Sequence, residues 1–582
     1  MVVPGLAWAF LDHRPWPWDQ AQYAEYTLRT LAAFAEGPIA GIAAMGVLMD
    51  VKAPGLTWLG MPFALLARFL GRPEPALLCA TLVFQLGTLL TCYWSAYLVS
   101  GSRLTSLAVA AFIGSTPIFI AMNHQYLVEP LQTFALALAF LLALCARGMS
   151  RLALFTALCG VAALALAAKS TSPLYCSLPL LFAASALVTR RPIQPAPWVR
   201  GMGVPLVLLA VFCVALVINW YATHFAAMLE NARQATVGDL ALDYGTRASF
   251  PTKLVYWIST LAAALFVPHR LVLLAAALAA GALALSSRSR SGDPPPTQFP
   301  VGWIVGAAAA HLAAALVAYS LQINDDPRFL EPWLPATAIL LAWLCARRWR
   351  FAVSGVLLAT ALAQYLLVYG HALGVSAKVS DHPYLDVVER DDTQRRQIQT
   401  LITLTCDVDR PFDVSIVGVQ YPWLNATSAN FYAAAAHGGR AICRYIPLES
   451  AGERPDVALK KVHQLAHKYF ITVVPEKMPS TWGFVNRTSA VVFAKVANSQ
   501  DWDRAHTIND TVVIFLSKSA GSARRPRHRR QAQRAGRPAR CRHRRTSSRS
   551  PCLLACWCSR RRCPSRAAGR RRSRAPCPPA SG

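Results

Sequence analysis

The chain is dominated by apolar runs that are long enough to cross a bilayer and that are separated by short polar segments. A membrane-spanning helix needs about 17–25 mainly apolar residues. Runs of this kind predict spans near residues 76–99, 104–121, 131–146, 152–168, 173–188, 202–220, 268–285, 301–320, 332–346 and 351–372. The pattern therefore predicts an α-helical polytopic membrane protein with about ten or eleven transmembrane helices.

Two further apolar stretches, 56–70 and 253–266, are shorter or richer in aromatic residues, and we expect them to lie at the membrane interface. Arginine clusters support this choice, because short cytoplasmic loops collect basic residues. With 56–70 interfacial, one side of the membrane receives the arginines at 103, 147, 151, 190, 191, 200, 288, 290, 347, 348 and 350. Asp19 then lies on the opposite, extracytoplasmic side.

After residue 372 the pattern changes to that of a water-soluble domain. DVSIVGV, AICRYI, YFITVV and TVVIFL predict strands, whereas NATSANFYAAAAH and PDVALKKVHQLAHK predict helices. This favours a membrane domain over residues 1–372, followed by a small extracytoplasmic α/β domain over 373–518. Cys406 and Cys443 could form a disulfide there if the domain lies outside the cytoplasm.

Both ends of the chain differ from this plan. Met1–Leu11 is apolar over only half a span, which suggests that the first helix is incomplete. At the other end, residues 521–582 contain 20 arginines and no acidic residue, and they lack apolar periodicity. Residues 519–582 are therefore predicted to be a disordered tail rich in Arg, Pro and Cys.

Composition supports the membrane class. The 582 residues are 54% hydrophobic and 15% charged, with a mean hydropathy of +0.34. The formal charge of +29 would suit a nucleic-acid-binding protein, but its excess lies mainly in the tail. We therefore expect no nucleic-acid partner, although a basic arm that binds anionic lipid is the alternative for the tail.

Charged residues beside the predicted spans carry the candidate chemistry, because charge is costly near lipid and usually marks function. The topology above collects these residues at one face: Asp19, Lys52, Glu129, Lys169 and Arg328. Each has a structural alternative. Asp19 could cap a helix over 20–34, and the Lys52 side chain could extend from the membrane edge to reach water. Glu129 could interact favourably with the dipole of the helix that it begins. Arg328 could form an ion pair with Asp325 or Asp326.

The motifs around these residues, taken in order, resemble a known family. WDQAQY, VKAPGLTWL, YLVEPLQTF, LAAKSTSPLY and DDPRFLEPWLP are similar to motifs of the C-type membrane glycosyltransferases that use lipid-linked sugars. That superfamily includes relatives of protein O-mannosyltransferases and the aminoarabinose transferase of lipid A. The resemblance covers residues 12–346, and it depends on the order of the motifs more than on any one of them.

The resemblance implies roles for single residues. Asp19 matches the family's essential aspartate, which acts as base or orients the acceptor, and Tyr23 completes the same motif. Lys52 would bind the carrier phosphate, Glu129 would be a second catalytic carboxylate, and Lys169 and Arg328 would bind substrate. The segment 221–252 is expected to be a loop that selects the substrate.

Several positions depart from the family's pattern. Gln20 replaces the second carboxylate of the first motif, Ala53 replaces a proline, and Phe329 replaces a tyrosine. Val51 stands where the aminoarabinose transferase has a glutamate that helps to bind metal. A divalent metal cofactor therefore stays open, and we assign no metal ligand.

The resemblance implies a glycosyltransferase that moves a sugar from a polyprenyl-phosphate donor to a lipid, glycan or protein acceptor. It would work at the extracytoplasmic face of the inner (plasma) membrane. The alternative is a transporter or lipid flippase. Transporters usually place polar residues near the membrane midplane and carry internal repeats, whereas here the charges gather at one face.

Overall fold

The computed structural model describes residues 2–189, 197–238, 241–242, 244–267, 301–345, 350–376, 382–408, 413–448, 454–465, 468–478 and 483–518. The expected span at 268–285 and the expected tail at 519–582 lie outside these residues.

Helices make up most of the described chain before residue 373. In chain order they are α1 Val2–Leu11, α2 Trp18–Glu36, α3 Pro38–Val47, α4 Gly55–Leu70, α5 Pro73–Ser100, α6 Arg103–Gly114, α7 Pro117–Asn123, α8 Glu129–Cys145, α9 Arg151–Ala168, α10 Ser172–Thr189, α11 Pro197–Thr236, α12 Phe250–Leu265, α13 Val301–Leu321, α14 Leu334–Cys345 and α15 Arg350–Ala372. Short 3-10 turns occupy Ala146–Gly148 and Pro327–Trp333.

The helical polytopic class is confirmed. Among the described residues, six helices are long and apolar enough to cross a membrane: Pro73–Ser100, Glu129–Gly148, Arg151–Ala168, Pro205–Thr236, Val301–Leu321 and Ala352–Ala372. The number becomes seven if α6 and α7, bent by 63° at their junction, form one span. The expected number was ten or eleven. The difference arises because α10 and α14 are short and because one expected span is not described.

Local sequence signals explain where these helices begin and end. The hydroxyl of Ser102 accepts the amide of Thr105 at the start of α6, and Ser150 does the same for Ala153 in α9. Gly71 and Gly101 follow α4 and α5 with φ of 68° and 66°, a left-handed conformation that glycine adopts without a steric penalty.

The region after residue 372 is a small α/β unit, as predicted. Its helices are α16 Thr393–Thr405, α17 Ala426–Ala436, α18 Pro455–Leu465 and α19 Gly483–Ala497, and its strands are β1 Val414–Val417, β2 Arg444–Pro447, β3 Tyr469–Val473, β4 Trp502–Ile508 and β5 Val512–Ser517. The four predicted strands and two predicted helices are present. α16, α19 and β4 were not predicted.

The five strands form one mixed sheet in the order β2-β1-β3-β5-β4. β1 is parallel to β2 and β3, with Ile416 opposite Phe470, and β5 is antiparallel to β3 and β4. Ile416 and Phe470 face α18 and α19, while their neighbours Val417 and Ile471 face the other core. Alternate residues of each strand point to opposite faces, so the central strands β1, β3 and β5 are buried on both sides.

Candidate functional site

Each candidate residue comes from a different connection between helices. Asp19 lies in the first turn of α2, and Lys52 lies in the segment between α3 and α4. Glu129 begins α8, Lys169 directly follows α9, and Arg328 lies in the 3-10 turn after α13. These helix ends meet at one place, as the charge pattern predicted.

Asp19 is held by two cations. Lys52 Nζ lies 2.5 Å from Asp19 Oδ1 and also donates to Gln22 Oε1 at 2.8 Å. Arg328 Nη1 donates to Asp19 Oδ2 at 3.1 Å. Both carboxylate oxygens of Asp19 are therefore engaged by groups that also suit a phosphate. This carboxylate makes no side-chain cap of α2, so the capping alternative is not what the structure contains.

Glu129 forms a second ion pair, with Lys169, next to that of Asp19. Its Oε1 accepts from Lys169 Nζ at 2.8 Å and lies 3.5 Å from Arg328 Nε. The Glu129 side chain is 1% exposed, so its charge depends on these two partners. Arg328 thus connects Asp19 to Glu129, and the five charged residues form one network.

Asp326 and Tyr384 extend this network. Arg328 Nε lies 2.8 Å from Asp326 Oδ2, and Tyr384 donates to Asp326 Oδ1 at 2.7 Å. Of the two aspartates weighed as structural partners of Arg328, Asp326 is therefore the one in contact. Asp325 pairs instead with Lys253. Tyr384 was not predicted, because its position 56 residues after Arg328 gives no sequence signal of this contact.

Electrostatics keep Asp19 ionised. Burial by itself would raise the pKa of Asp19, but the charges and hydrogen bonds of Lys52 and Arg328 outweigh burial and hold the pKa well below its usual value of 3.8. For Tyr23, one turn later in α2, burial and the nearby charges of Asp19 and Glu129 raise the pKa well above 10.0. Tyr23 therefore stays a neutral hydroxyl, with Lys52 Nζ 5.4 Å from its ring centre.

All six candidate residues line one cavity of about 390 Å³, which we call the cationic cavity. Its charged side chains are Lys52, Lys169 and Arg328 against Asp19 and Glu129. Apolar side chains such as Leu127, Tyr175 and Phe329 complete its wall. A second cavity of about 410 Å³ shares Asp19 and Arg328 with it.

Close backbone packing brings two of the cations together. A side chain at Gly55, three residues after Lys52, would lie 2.5 Å from the carbonyl oxygen of Ala167, which precedes Lys169 by two residues. Only glycine lets the start of α4 approach the end of α9 so closely. Gly55 thereby sets the separation of Lys52 and Lys169.

Gln20 has taken a structural role where the family pattern has a carboxylate. Its amide nitrogen bonds Gln125 Oε1, and its oxygen accepts the backbone amide of Tyr126 at 3.3 Å. Gln20 thus fixes the segment that leads to Glu129. No second acidic group is supplied at this point of α2.

The α/β unit holds the segment that carries Asp19. Tyr432 Oη accepts the backbone amide of Trp16 at 3.1 Å, and Ser428 Oγ donates to the carbonyl of Trp16 at 2.7 Å. Trp18 Nε1 donates to Gln420 Oε1 at 3.0 Å. Trp18 has a φ of 30°, a strained conformation that needs such support and that often accompanies functional sites.

The segment 221–252 differs from the expected loop. Residues 221–236 are the end of α11, because this stretch is rich in good helix formers such as Ala, Leu and Glu. Tyr244 does line both cavities. Glu230 instead forms an exposed pair with Arg233.

The residues at the site do not make a metal-binding set. Within the described ranges, no group of three or more His, Cys, Asp or Glu side chains is arranged to hold a metal ion. Asp19 and Glu129 are each paired with two cations, which compete with a metal for the same oxygens. The two carboxylates of the cavity are thus committed to cationic side chains.

Comparison with known proteins identifies the fold. No protein-family profile and no curated protein sequence matches the chain. Among solved structures, apo ArnT from Cupriavidus metallidurans aligns with a TM-score of 0.52 and 12% identity over 88% of this chain and 96% of that one. ArnT from Cupriavidus metallidurans bound to undecaprenyl phosphate gives a TM-score of 0.51 with the same identity and coverage. The chain therefore has the fold of the structures of ArnT, a member of the family that its motifs resemble.

Proposed function

We propose that this membrane protein is a glycosyltransferase that takes a sugar from a polyprenyl-phosphate donor and transfers it to a lipid, glycan or protein acceptor. The observation that carries the proposal is the contact of both Asp19 oxygens with cations in one cavity. Sugar transfer from a phosphate carrier requires a base for the acceptor hydroxyl and cations that stabilise the leaving phosphate. Here a carboxylate and two cations lie at the same point.

The donor would occupy the cationic cavity. Lys52, Lys169 and Arg328 outnumber the two carboxylates there, so the cavity favours an anion. Arg328 can hold two phosphate oxygens with one guanidinium, and the lysines add point charges. The ArnT structure with undecaprenyl phosphate supports a carrier of this type by fold analogy.

The transfer step can be written with these residues alone. An acceptor hydroxyl gives its proton to Asp19, and its oxygen attacks the anomeric carbon of the donor sugar. The bond between that carbon and the carrier phosphate oxygen breaks, and the electron pair stays on the phosphate. Lys52 and Arg328 stabilise the added negative charge. Tyr23 lies in the wall of the same cavity and would orient the donor.

The ion pairs of Asp19 suggest an order of binding. While Lys52 and Arg328 hold Asp19, its low pKa makes it a weak base. A donor phosphate would compete for the same two cations and would add a negative charge nearby. Both effects raise the pKa of Asp19, so donor binding would activate the base before the acceptor reacts.

Glu129 would act mainly by fixing cations. Its contacts with Lys169 and Arg328 hold both side chains in the cavity wall. This role differs from the second catalytic carboxylate that the motif implies. The stability and the transfer activity of Glu129→Gln distinguish these two roles.

We also propose that the site lies at the extracytoplasmic face of the plasma membrane. A disulfide joins Cys406 and Cys443 in the α/β unit, and disulfides persist in oxidising compartments. The α/β unit contacts the Asp19 segment directly, so both would lie on one side. We propose the division into a membrane domain over 1–372, an α/β domain over 373–518 and a tail over 519–582.

The test is transfer by the purified protein. Lipid-linked sugars extracted from the producing cells serve as donors, and cell-envelope glycans, lipids and proteins serve as acceptors. Asp19→Asn should reduce transfer by about 10²–10⁴-fold while undecaprenyl phosphate still binds. Asp50→Asn, which changes an exposed carboxylate two residues before Lys52, should transfer normally. Full activity of Asp19→Asn would remove Asp19 from the reaction.

The alternative is a lipid transporter or flippase. Protein reconstituted into vesicles with a fluorescent polyprenyl phosphate distinguishes the two functions. Movement of the lipid between leaflets without any transferred sugar would favour transport and reject the transferase.

A further inference from the structure

A groove lies where the α/β unit meets the first helices of the chain, and we call it the junction groove. Its volume is about 510 Å³, and small-molecule sites usually measure about 300–1,000 Å³. Its walls are the end of α2, the end of α4, the first residue of α5 and the turn after α17. Among the described residues, it shares no lining side chain with the cationic cavity or with the second cavity. It is therefore a separate site, at the opposite end of α2 from Asp19.

The surroundings of the junction groove place it at the level of the membrane surface. Pro73, which lines the groove, is the first residue of α5, and α5 is long and apolar enough to cross a membrane. On α4, Leu66 and Phe69 are exposed, so apolar surface continues beside the groove. The opposite wall, at residues 437–440, belongs to the α/β unit. The groove thus lies between an apolar and a polar surface, as a lipid headgroup does.

Charged side chains surround the opening of the junction groove. Arg68 in the last turn of α4 and Arg440 in the turn after α17 are both exposed, and both line it. Glu36, the last residue of α2, is the one carboxylate in the described lining. Two guanidinium groups against one carboxylate leave the groove positively charged. It therefore favours an anion.

The turn that carries Arg440 is held in place by its backbone. Gly439 has a φ of 87°, a left-handed conformation that suits glycine. A Cβ at this position would lie 2.3 Å from the carbonyl oxygen of Leu28, so only glycine lets the turn approach α2 this closely. His437 Nε2 lies 3.3 Å from Cys406 Sγ, which connects the same turn to the disulfide. The position of Arg440 across from α4 is thus a fixed feature of the fold.

We propose that the junction groove binds the headgroup of an anionic phospholipid of the bilayer. Arg68 and Arg440 bond its phosphate oxygens, and its acyl chains lie along the exposed apolar side chains of α4. A guanidinium group can hold two phosphate oxygens at once, and basic pockets beside membrane spans suit such headgroups.

The apolar surface favours a lipid over free phosphate, because an inorganic anion has no chain that would cover it. The bound lipid would be neither donor nor acceptor of a sugar. The proposal is thus independent of the transferase function proposed above.

Lipid binding to the full-length protein tests the proposal. The protein is immobilised in detergent and titrated with radiolabelled phosphatidylglycerol or with phosphatidylcholine that has the same acyl chains. Each arginine near an anionic headgroup contributes about 1 kcal/mol, so we expect phosphatidylglycerol to bind at least about tenfold more tightly. Arg68→Gln combined with Arg440→Gln should abolish this preference. Arg440→Gln alone replaces the double variant if that does not fold, and it should weaken phosphatidylglycerol about fivefold.

A matched control separates the groove from the total charge of the protein. Arg487→Gln combined with Arg504→Gln also removes two exposed arginines, but neither residue lines the groove, and the lipid preference should persist. Equal affinity for the two lipids, an unchanged preference in the variants of Arg68 and Arg440, or an equal loss in the control would overturn the proposal. Displacement of phosphatidylglycerol by inorganic phosphate, but not by chloride at the same ionic strength, would show a free-phosphate site and would also reject the lipid.

Discussion

Arg328 Nη1 lies 3.1 Å from Asp19 Oδ2, although 309 positions separate the two residues in the chain. Both side chains belong to the walls of both cavities. Lys52, which lines the cationic cavity, donates to the other oxygen of Asp19, Oδ1. The protonation of Asp19 is thus coupled to whatever occupies the cationic cavity.

This coupling predicts a shift in the pH dependence of the reaction. In the free protein the pKa of Asp19 lies below 3.8, so the carboxylate stays ionised down to acidic pH. Donor phosphate should draw Lys52 and Arg328 away and raise that pKa. Since kcat/KM for the donor reports the free enzyme, its acid limb should lie at lower pH than the acid limb of kcat/KM for the acceptor at saturating donor. Coincident limbs would show that donor binding leaves Asp19 paired.

Glu129→Gln should destabilise the protein more than it impairs donor binding. The change leaves Lys169 without its counter-charge and removes one of the three carboxylates beside Arg328, which costs about 3–5 kcal/mol. Undecaprenyl phosphate should bind at least as tightly as before, because the freed lysine can contact it. Thermal unfolding and lipid titration in detergent measure both effects.

A suitable comparison for this change is Glu230→Gln, which breaks an exposed pair with Arg233 and should leave the free energy of unfolding almost unchanged. If Glu129→Gln instead keeps its full stability and loses transfer, Glu129 is a catalytic carboxylate.

Tyr432→Phe should lower kcat through the position of Asp19. It removes the hydroxyl that accepts the amide of Trp16 and donates to Glu74 at 2.9 Å. A small displacement of the Asp19 segment can reduce the rate about tenfold or more. The KM for the donor should not change, since Tyr432 does not line the cationic cavity.

Tyr445→Phe separates this effect from a general loss of stability. Its hydroxyl is also buried and bonds Thr405 at 2.8 Å within the α/β unit. Both variants should lose about 1–3 kcal/mol of stability. Only Tyr432→Phe should lose kcat, and a similar kcat for the two variants would argue against positioning by Tyr432.

Removal of the disulfide should destabilise the α/β unit. Cys406 and Cys443 are 37 positions apart, and closing a loop of this length stabilises a fold by about 3–4 kcal/mol in the chain-entropy description. Cys406→Ala with Cys443→Ala should therefore unfold at lower temperature. Cys159→Ala, in α9, should unfold as the unmodified protein does. Free thiols at 406 and 443 in protein isolated without reductant would contradict the extracytoplasmic placement.

The sequence was sufficient to predict that Asp19, Lys52, Glu129, Lys169 and Arg328 would meet. Each stands at the end of an apolar run, and charge at the end of a span can be assigned to one face. Their pairing could not be predicted, because it depends on helix packing such as the approach of Gly55 to Ala167. Tyr384 reaches the network only through its contact with Asp326, which is distant in sequence.

The secondary structure, too, could be predicted only in part from the sequence. Strands β1 and β3 have long apolar runs and were predicted, whereas β4 carries Asp503, Arg504 and His506 and lies at the sheet edge. An edge strand needs few apolar residues, so its pattern is weak. The end of α11 was mistaken for a loop because its polar residues suggested one, although its composition favours a helix.

The wall shared by the two cavities also determines how far apart two bound molecules would be. The side chains of Asp19 and Arg328 line both cavities. A molecule in either cavity would therefore be within reach of the same carboxylate and the same guanidinium, and this nearness needs no closure of one domain over another.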